Sequence, residues 1–374
     1  MTQQSDSTIQ QDEQLTILLT TVAGNNDPIF ITGNFNHWQV GDKRFQFQKK
    51  EDGVYVLQLP NKTTLPDILE YKYVRGGWES EELDQYGNEI TNRTVNTQTI
   101  KDIKDCVPFW KKNGHFYYSK DFYPNIEVIS EAFEIPQLIK TRRIAALLPY
   151  DYYTSEKRYP VLYLQDGQNL FDDHAPYGSW GVDKRLALLA QRGLSDLIII
   201  SIDHAKEERL AEYTPSTKTQ LGSGSGKKYV RFLADTLKPY VDNHFRTKPN
   251  RAHTGIGGSS MGGLISIYAG LTYPEVYSKL LIFSPSLWVA PNIHFHAINF
   301  HTSLDTKIYL YGGTEESKNM VPNMNRFKAA IEQQQLDAKI NFNLSIDPKG
   351  KHNEARWGQE FPKAVEWLFF NEST

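Results

Sequence analysis

The strongest constraint on the fold is an alternation of short apolar runs with amphipathic stretches, which begins near Tyr123 and continues to the last residues. The apolar runs predict strands, and the spacing of apolar residues between them is typical of helices. Parallel strands need long crossover connections, so this order favours a mostly parallel sheet covered by helices on both faces. Strands are predicted at 143–148, 160–165, 197–202, 253–257, 279–283, 307–311 and 339–345, and helices at 184–192, 227–245, 264–271, 320–335 and 361–370.

The first hundred residues follow a different pattern, in which short alternating runs are separated by turn-forming residues. Strands are predicted at 15–21, 28–33, 45–49, 54–59 and 68–75. Gly, Asn, Asp and Pro lie between the first two of these runs, and Asp and Gly lie between the third and fourth, so that the chain can turn tightly there. Short strands at this spacing favour a small all-β, immunoglobulin-like sandwich.

The two patterns divide the chain into four segments. Residues 1–12 are polar and rich in Gln and Ser, and we expect a disordered tail there. Residues 13–100 form the predicted β-sandwich, and the polar, lysine-rich stretch over 101–122 is the predicted linker. Residues 123–374 form the predicted α/β domain.

Composition excludes several classes of function. The formal charge is −3, from 41 basic and 44 acidic residues without a basic block, so neither nucleic acid nor an anionic membrane is an expected partner. The lone cysteine, Cys106, excludes an internal disulfide, and no Cys/His spacing matches a zinc site, so no metal or other cofactor is expected. The longest apolar runs are too short to span a bilayer, and the first dozen residues lack the pattern of a signal peptide. We therefore expect a cytoplasmic protein.

A serine framed by glycines carries the strongest chemical signal. Gly258, Ser260 and Gly262 form a G-x-S-x-G motif between a predicted strand and a predicted helix, which is the setting that a nucleophile elbow requires. The glycines are needed because a Cβ on either side of so tight a turn would clash. Ser259 lacks this frame, since Met261 stands where its second glycine would be. Ser260 is therefore the predicted nucleophile, and a glycine-rich turn without a catalytic role is the alternative.

A serine nucleophile needs a histidine base and an acid that orients the histidine. His352 lies in a polar loop after the last predicted strand, where a parallel sheet presents its carboxyl edge, and it is the predicted base. Glu315 and Glu316 both follow the predicted strand at 307–311, and the residues alone do not show which of the two is the acid. Three other histidines that follow Ser260 are interpreted as loop or surface residues: His294, His296 and His301.

The oxyanion of an acyl-transfer reaction needs backbone N–H donors. Met261, directly after the nucleophile, is the first predicted donor. The second is predicted in the loop after the strand at 160–165, at Gly167 and Gln168, because glycine permits the backbone to approach a substrate closely. An ordinary strand-to-helix connection is the alternative for this loop.

Ordered motifs over residues 125–370 resemble the esterase D and enterochelin-esterase-like group of α/β-hydrolases, which includes feruloyl and acetyl-xylan esterases. The resemblance implies a Ser–acid–His triad that works through an acyl-enzyme, and its Gly-Thr-x-acid pattern places the acid at Glu316. In the stretch at 209–215, Arg209 and Glu212 are expected to pair with each other at the rim of the site. The matching stretches lie at 163–172, 180–183, 209–215, 257–263, 284–288, 313–316 and 350–352.

The motif Ile-Thr-Gly-Asn-Phe-Asn-His-Trp at 31–38 is similar to the opening of a starch- or glycogen-binding module of the CBM20/CBM48 group. The similarity extends over about residues 14–96. It implies that Trp38 and Trp78 form a platform on which a sugar stacks, with Lys72 and Asn92 as polar contacts to hydroxyl groups. The alternative is a scaffold that shapes the neighbouring active site without binding glucan.

The sequence thus favours a serine carboxylic-ester hydrolase with a Ser260–His352–Glu316 triad, acting on an acylated sugar or a similar small-molecule ester. A siderophore esterase of the enterochelin type is the first alternative. Transfer of the acyl group to a sugar instead of water would use the same triad. An alternative from another class is a non-catalytic glycan-binding or scaffold protein.

Overall fold

The computed structural model describes residues 14–59, 64–116, 118–299, 304–334 and 339–371 of the 374-residue chain. The tail predicted over 1–12 lies outside these residues. The chain divides into two compact units, one ending at Tyr117 and the other beginning at Tyr118. Within the described residues, no helix has both the length and the apolar character needed to cross a lipid bilayer.

The first unit consists of short strands arranged in two sheets. One sheet has the strand order β3-β4-β1-β8, and the other has the order β10-β9-β6-β5-β2, with β7 paired to β5. The strands are β1 (Leu15–Thr21), β2 (Phe30–Gly33), β3 (Gln48–Glu51), β4 (Val54–Leu59), β5 (Ile68–Arg75), β6 (Gly77–Leu83), β7 (Arg93–Asn96), β8 (Asp102–Val107), β9 (Phe109–Lys112) and β10 (His115–Phe116).

Both sheets of the first unit contribute side chains to one hydrophobic cluster. Leu15, Ile17 and Leu19 of β1 alternate with less buried residues and belong to this cluster. Tyr71 and Tyr73 of β5, in the other sheet, belong to the same cluster. The period of two along each strand therefore places alternate side chains in a core that the two sheets share.

The segment over 101–122 differs from the linker that its composition predicts. It contains β8, which pairs in parallel with β1, and β9, which pairs with β6. Of the six residues in β8 only Ile103 and Val107 are buried, and the others are polar or exposed. An edge strand with so few apolar residues has the composition of a linker, so its pairing could not be predicted from hydropathy.

The second unit is built around a single eight-stranded sheet with the order β11-β12-β14-β13-β15-β16-β17-β18. Strand β12 runs antiparallel to both of its neighbours, and all pairings from β14 to β18 are parallel. The strands are β11 (Asn125–Ile135), β12 (Lys140–Leu148), β13 (Val161–Gln165), β14 (Ile198–Ile202), β15 (Thr254–Ser259), β16 (Lys279–Phe283), β17 (Thr306–Gly313) and β18 (Ile340–Asp347). The helices are α1 (Val182–Gln191), α2 (Arg209–Tyr213), α3 (Gly226–Phe232), α4 (Lys238–His244), α5 (Met261–Thr272), α6 (Met320–Glu332) and α7 (Glu354–Val365).

Helices cover both faces of this sheet. In β13, Leu162 and Leu164 pack in one cluster with residues of α1 and α7. Val161 and Tyr163 of the same strand belong to a second cluster that contains residues of α3, α5 and α6. Because successive side chains of a strand point to opposite faces, the two clusters lie on opposite sides of the sheet. The predicted mostly parallel sheet with helices on both faces is confirmed.

The parallel strands bring their carboxyl ends to one edge of the sheet, where loops carry the predicted chemistry. At that edge the loops after β17 and β18 approach each other closely. A Cβ added to Gly313 would lie 2.1 Å from the carbonyl oxygen of Gly350, so neither backbone leaves room for a side chain. The amide of Glu315 also donates to the Gly350 carbonyl, at 3.2 Å. The two glycines therefore hold together the loops that carry Glu316 and His352.

We predict that Gly313→Ala destabilises the protein by about 2 kcal/mol or more, because the new methyl group has to displace the backbone of Gly350. Urea and thermal denaturation measure this loss. Gly193→Ala is the matched control: its φ is +80°, but no atom lies within 4 Å of the added Cβ. It should cost only about 1 kcal/mol, from the left-handed backbone alone. Equal losses in the two variants would contradict the role given to the close approach.

Candidate active site

Ser260 lies on a strained turn between β15 and α5. Its backbone has φ +55° and ψ −121°, a conformation that residues with a Cβ rarely adopt. Backbone hydrogen bonds hold this turn: the Ser260 amide donates to Phe283 at 2.9 Å, and the Ser260 carbonyl accepts from Ser286 at 3.0 Å and from Leu264 at 3.1 Å. This is the strand–turn–helix geometry in which a nucleophile elbow exposes its hydroxyl group.

The two glycines of the motif lie where added side chains would collide with the strand beside them. A Cβ at Gly262 would lie 2.8 Å from Oδ2 of Asp166, and one at Gly258 would lie 3.0 Å from Cβ of Gln165. Both contacts are tighter than side chains normally make, so the turn depends on glycine at these positions.

Glu316 and His352 form a direct hydrogen bond. Glu316 Oε2 lies 2.7 Å from His352 Nδ1, and the Glu316 side chain is only 1% exposed whereas that of His352 is 40% exposed. Glu316 Oε1 accepts from the amide of Gly313 at 2.6 Å and from the hydroxyl of Ser284 at 2.7 Å. Glu315 is exposed to solvent. The geometry thus brings Glu316, and not Glu315, to the histidine.

Ser260 and His352 line the same cavity, which has a volume of about 720 Å³. The hydroxyl of Ser260 lies 3.3 Å from that of Ser286, and within the described residues no hydrogen bond joins it to His352. A nucleophile and its base often come within bonding distance only when a substrate is present, so this geometry is compatible with the pair acting together.

The backbone groups predicted to bind an oxyanion lie on two elements beside this cavity. Met261 is the first residue of α5, where a helical N–H has no acceptor within the helix. Gly167 and Gln168 begin a short 3-10 helix after β13, and a Cβ at Gly167 would lie 2.5 Å from Asp203 Oδ1 and from Ser201 Oγ. The Gln168 side chain fixes this loop, since it donates to the His204 carbonyl and accepts from the His204 amide, at 3.1 and 2.9 Å.

The cavity also contains an ion pair that the sequence did not predict. Arg209 donates to both carboxylate oxygens of Asp166, at 2.6 and 2.7 Å, and this bidentate pairing raises the pKa of the arginine. The expected pair of Arg209 with Glu212 is wrong, because Glu212 is buried and instead accepts from Arg142 at 2.6 Å. The position of Asp166 directly after β13 is the signal that could have found it.

Two further titratable groups line the cavity. Burial raises the pKa of Glu354, whose Oε1 accepts from Asn169 at 3.4 Å. Burial lowers the pKa of His204, so the neutral imidazole is favoured there. Tyr177 and Leu210, which are 76% and 53% exposed, also line the cavity.

Of the other histidines that follow Ser260, the two that the structure describes, His294 and His296, lie outside this cavity lining. His296 packs edge-on against Tyr268, with ring centroids 5.0 Å apart, and His294 lies beside Phe295. His301 lies outside the described residues. The described residues contain no group of three or more His, Cys, Asp or Glu side chains arranged to hold a metal ion.

In the first unit, the two tryptophans of the predicted sugar platform lie side by side. The rings of Trp38 and Trp78 have centroids 6.2 Å apart and planes inclined by 35°, and Trp78 is 41% exposed. The predicted polar contacts are bonded to carboxylates: Lys72 to Glu81 at 3.4 Å, and Asn92 to Glu70 at 3.5 Å. An amine or amide already held by a carboxylate has less capacity to bind a ligand hydroxyl group.

Residues 136–368 match the family model described as "Putative esterase". The chain belongs to this family. It is a carboxylic ester hydrolase. The match covers most of the second unit and includes Ser260, Glu316 and His352.

Three similar proteins are an uncharacterized bacterial protein, a fungal siderophore esterase and a bacterial alpha-amylase. The esterase is 26% identical over 244 residues to the uncharacterized protein YbbA of Bacillus subtilis, covering 61% of this chain and 92% of YbbA. It is 27% identical over 146 residues to the siderophore triacetylfusarinine C esterase of Aspergillus fumigatus, covering 37% of this chain and 48% of that protein. An alpha-amylase of Niallia circulans is 36% identical over 72 residues, covering 19% of this chain and 5% of the amylase. The chain thus spans less than half the length of the last two.

Among solved structures, the esterase is similar to an IroE-like serine hydrolase from Shewanella oneidensis. The two share 19% sequence identity with a TM-score of 0.53, over 66% of this chain and 80% of that one. At this identity the likeness shows the fold, which is that of an α/β-hydrolase.

A buried carboxylate lies behind the predicted oxyanion loop of the esterase. Burial raises the pKa of Asp203 to about 6, although Arg143 Nη1 lies 3.8 Å from its Oδ1 and acts in the opposite direction. Among the described residues, Oδ1 has no hydrogen-bond partner. The pKa of Asp203 in the folded protein therefore lies above its unfolded value of about 3.9, so the native state binds the proton more tightly than the unfolded state does. The stability that this tighter proton binding contributes is lost as the pH rises through about 4 to 6.

We predict that Asp203→Asn stabilises the esterase by about 2 kcal/mol at pH 8 and has little effect at pH 4.5, because the amide stays neutral where the wild-type carboxyl group must ionise. Urea denaturation at several pH values measures the difference. Asp305→Asn, at an exposed aspartate of the same unit, is the control and should not change the pH dependence. A constant difference between Asp203→Asn and wild type from pH 4.5 to 8 would contradict the assignment.

Proposed function

We propose that this esterase cleaves its substrate through an acyl-enzyme formed on Ser260, with His352 as general base and Glu316 as the acid that orients it. The proposal rests on one observation: the buried Glu316 carboxylate is hydrogen-bonded to His352 Nδ1 at 2.7 Å. His352 lines the same cavity as Ser260, which lies on the strained turn. The other imidazole nitrogen, Nε2, is then the one available to take a proton from the serine.

Acylation proceeds by attack of Ser260 Oγ on the ester carbonyl carbon while His352 Nε2 accepts the serine proton. The negative charge that develops on the carbonyl oxygen is stabilised by the N–H groups of Met261 and of Gly167 or Gln168. The ester C–O bond then breaks, and the imidazolium returns its proton to the departing alcohol. Water, deprotonated by His352, cleaves the acyl-enzyme and releases the carboxylic acid with the serine hydroxyl restored.

Glu316 stabilises the imidazolium that forms in both steps and holds the tautomer with its proton on Nδ1. A glutamate has one more rotatable bond than the aspartate found in many such sites, so it needs more contacts to stay in place. The two donors at its Oε1, from Gly313 and Ser284, leave Oε2 for the histidine.

We propose an acylated sugar, or a similar neutral ester rich in hydroxyl groups, as the substrate. In the described lining of the cavity, the carboxylates of Asp166, Glu207 and Glu354 outnumber the cations of Lys206 and Arg209. Arg209 is also neutralised by its bidentate bond to Asp166. Such a surface disfavours a polyanionic substrate, whereas carboxylates readily accept hydrogen bonds from hydroxyl groups.

A siderophore ester is the second candidate. It is favoured by the similarity to the siderophore esterase of Aspergillus fumigatus. The charge of the cavity lining separates the candidates, since a strongly anionic chelate would meet the carboxylates of Glu207 and Glu354.

For the first unit we propose a β-sandwich of the carbohydrate-binding type that holds α-glucan on Trp38 and Trp78. The adjacent, inclined indole rings support this proposal, because the C–H face of a sugar packs on an aromatic ring and two rings at this distance can hold neighbouring sugars.

We predict that Ser260→Ala lowers hydrolysis of chromogenic acyl esters, from acetyl to feruloyl, by three orders of magnitude or more, because the nucleophile is lost. Labelling by a serine-directed phosphonate should disappear with it. Ser266→Ala is the matched control: Ser266 is buried on the same helix, and its hydroxyl donates to the Gly262 carbonyl at 2.7 Å. This variant should keep its activity. Comparable activity in Ser260→Ala and wild type would refute the proposed mechanism.

We predict that Trp78→Ala weakens binding to soluble starch at least tenfold, measured by retardation in affinity gels, because stacking on an aromatic ring is lost. Trp288→Ala removes a tryptophan of the second unit that is 56% exposed and should leave retardation unchanged. Equal retardation of wild type and Trp78→Ala would assign the first unit a scaffold role instead.

A further inference from the structure

The motif Ser-Pro-Ser-Leu-Trp at 284–288 follows β16 and is not explained by the triad alone. Its first residue, Ser284, is fully buried and has φ +44°, in the left-handed region that a serine rarely adopts. The backbone is held there by a hydrogen bond of 2.7 Å from the Ser284 amide to the carbonyl of Tyr311 in β17. In this position the Ser284 hydroxyl donates to Glu316 Oε1 at 2.7 Å.

A second donor sets the direction of that hydrogen bond. The indole N–H of Trp357 donates to Ser284 Oγ at 2.8 Å, and both side chains are buried. An indole nitrogen can only donate, so the Ser284 oxygen must accept from it and direct its own proton elsewhere. The acceptor that it meets is the carboxylate of Glu316.

The same tryptophan contacts the histidine. The rings of His352 and Trp357 meet edge to face, with centroids 4.9 Å apart and planes at 84°. Trp357 therefore limits the orientation of the imidazole directly and supports the carboxylate through Ser284. Four side chains thus form a closed ring of contacts, which runs from Glu316 to His352, Trp357, Ser284 and back to Glu316.

We propose that Ser284 and Trp357 are positioning residues that fix the Glu316 carboxylate with Oε2 toward His352, an inference that rests on the triad proposed above. Ser284 occupies Oε1 together with the Gly313 amide, so the carboxylate cannot turn without losing both bonds. The ring of contacts thus supplies the orientation of the carboxylate that the imidazolium requires.

Ser284→Ala tests this proposal. We expect kcat for a chromogenic ester to fall about tenfold, the effect of losing one hydrogen bond to a charged acceptor. KM should stay unchanged, since Ser284 is not among the residues that line the cavity.

Ser278→Ala is the matched control for a purely structural effect. Ser278 stands immediately before β16 as Ser284 stands immediately after it, it is 3% exposed, and its hydroxyl donates to the Arg251 carbonyl at 2.8 Å. The variant loses a buried hydrogen bond of the same kind at the opposite end of the strand. It should lose stability while kcat and KM stay those of wild type.

Trp357→Phe keeps a buried aromatic ring and removes only the indole donor, so it tests the proposal even where Ser284→Ala folds poorly. We expect a fall in kcat of about threefold. The double variant should be no slower than Ser284→Ala, because both changes act on the same carboxylate.

The positioning proposal fails if Ser284→Ala and Trp357→Phe keep the wild-type kcat while Ser260→Ala is inactive. That result would leave the proposed triad standing. Activity that survives Ser260→Ala would instead overturn the triad itself, so the two failures are distinguishable. Additive losses in the double variant would also contradict a role through one carboxylate.

Discussion

The parallel pairing of β15, β16, β17 and β18 is the constraint on which the site depends. These four strands are neighbours in the sheet, and their registers align Ser259 with Phe283, Phe283 with Tyr311, and Gly313 with Asp347. Each strand therefore ends at the same edge and passes directly into a loop that carries one functional group. In spatial order these groups are Ser260, Ser284, Glu316 and His352.

The first strand of this set, β15, has a composition that only such packing explains. β15 contains three glycines, and a Cβ at Gly257 would lie 2.4 Å from the Leu281 carbonyl oxygen of the neighbouring strand. Isolated glycines weaken a strand because they leave nothing to pack. Here they allow α5 and the adjacent strands to approach closely, so that the chain can turn sharply at Ser260.

The parts of the fold that follow hydropathy could be predicted from sequence. The strands at 15–21, 54–59, 68–75 and 279–283 have the predicted bounds, because apolar residues alone define them. β6 could not be found in this way, since it ends in buried charges. Glu82 is fully buried, with Arg93 as its ion-pair partner at 2.8 Å, and a partner distant in sequence leaves no local signal.

The same distinction holds within the site. The glycine frame of Ser260 and the loop after the last strand are local features, and they led to the proposed nucleophile and the proposed base. Glu315 and Glu316 both follow the same strand, so the residues alone do not separate them; the family resemblance prefers Glu316, and the fold buries its side chain while Glu315 stays exposed.

The ion pair with Arg209 allows the carboxylate of Asp166 to lie beside the proposed oxyanion site without repelling the oxyanion. Asp166 comes immediately before the predicted oxyanion loop and packs against Gly262 of the elbow. An unpaired carboxylate there would repel the negative charge that develops on the substrate oxygen in the proposed mechanism. Arg209 removes this repulsion by binding both oxygens of Asp166, and it joins α2 to the loop that begins at Gly167. The same bond that neutralises Asp166 therefore also fixes the backbone expected to receive the oxyanion.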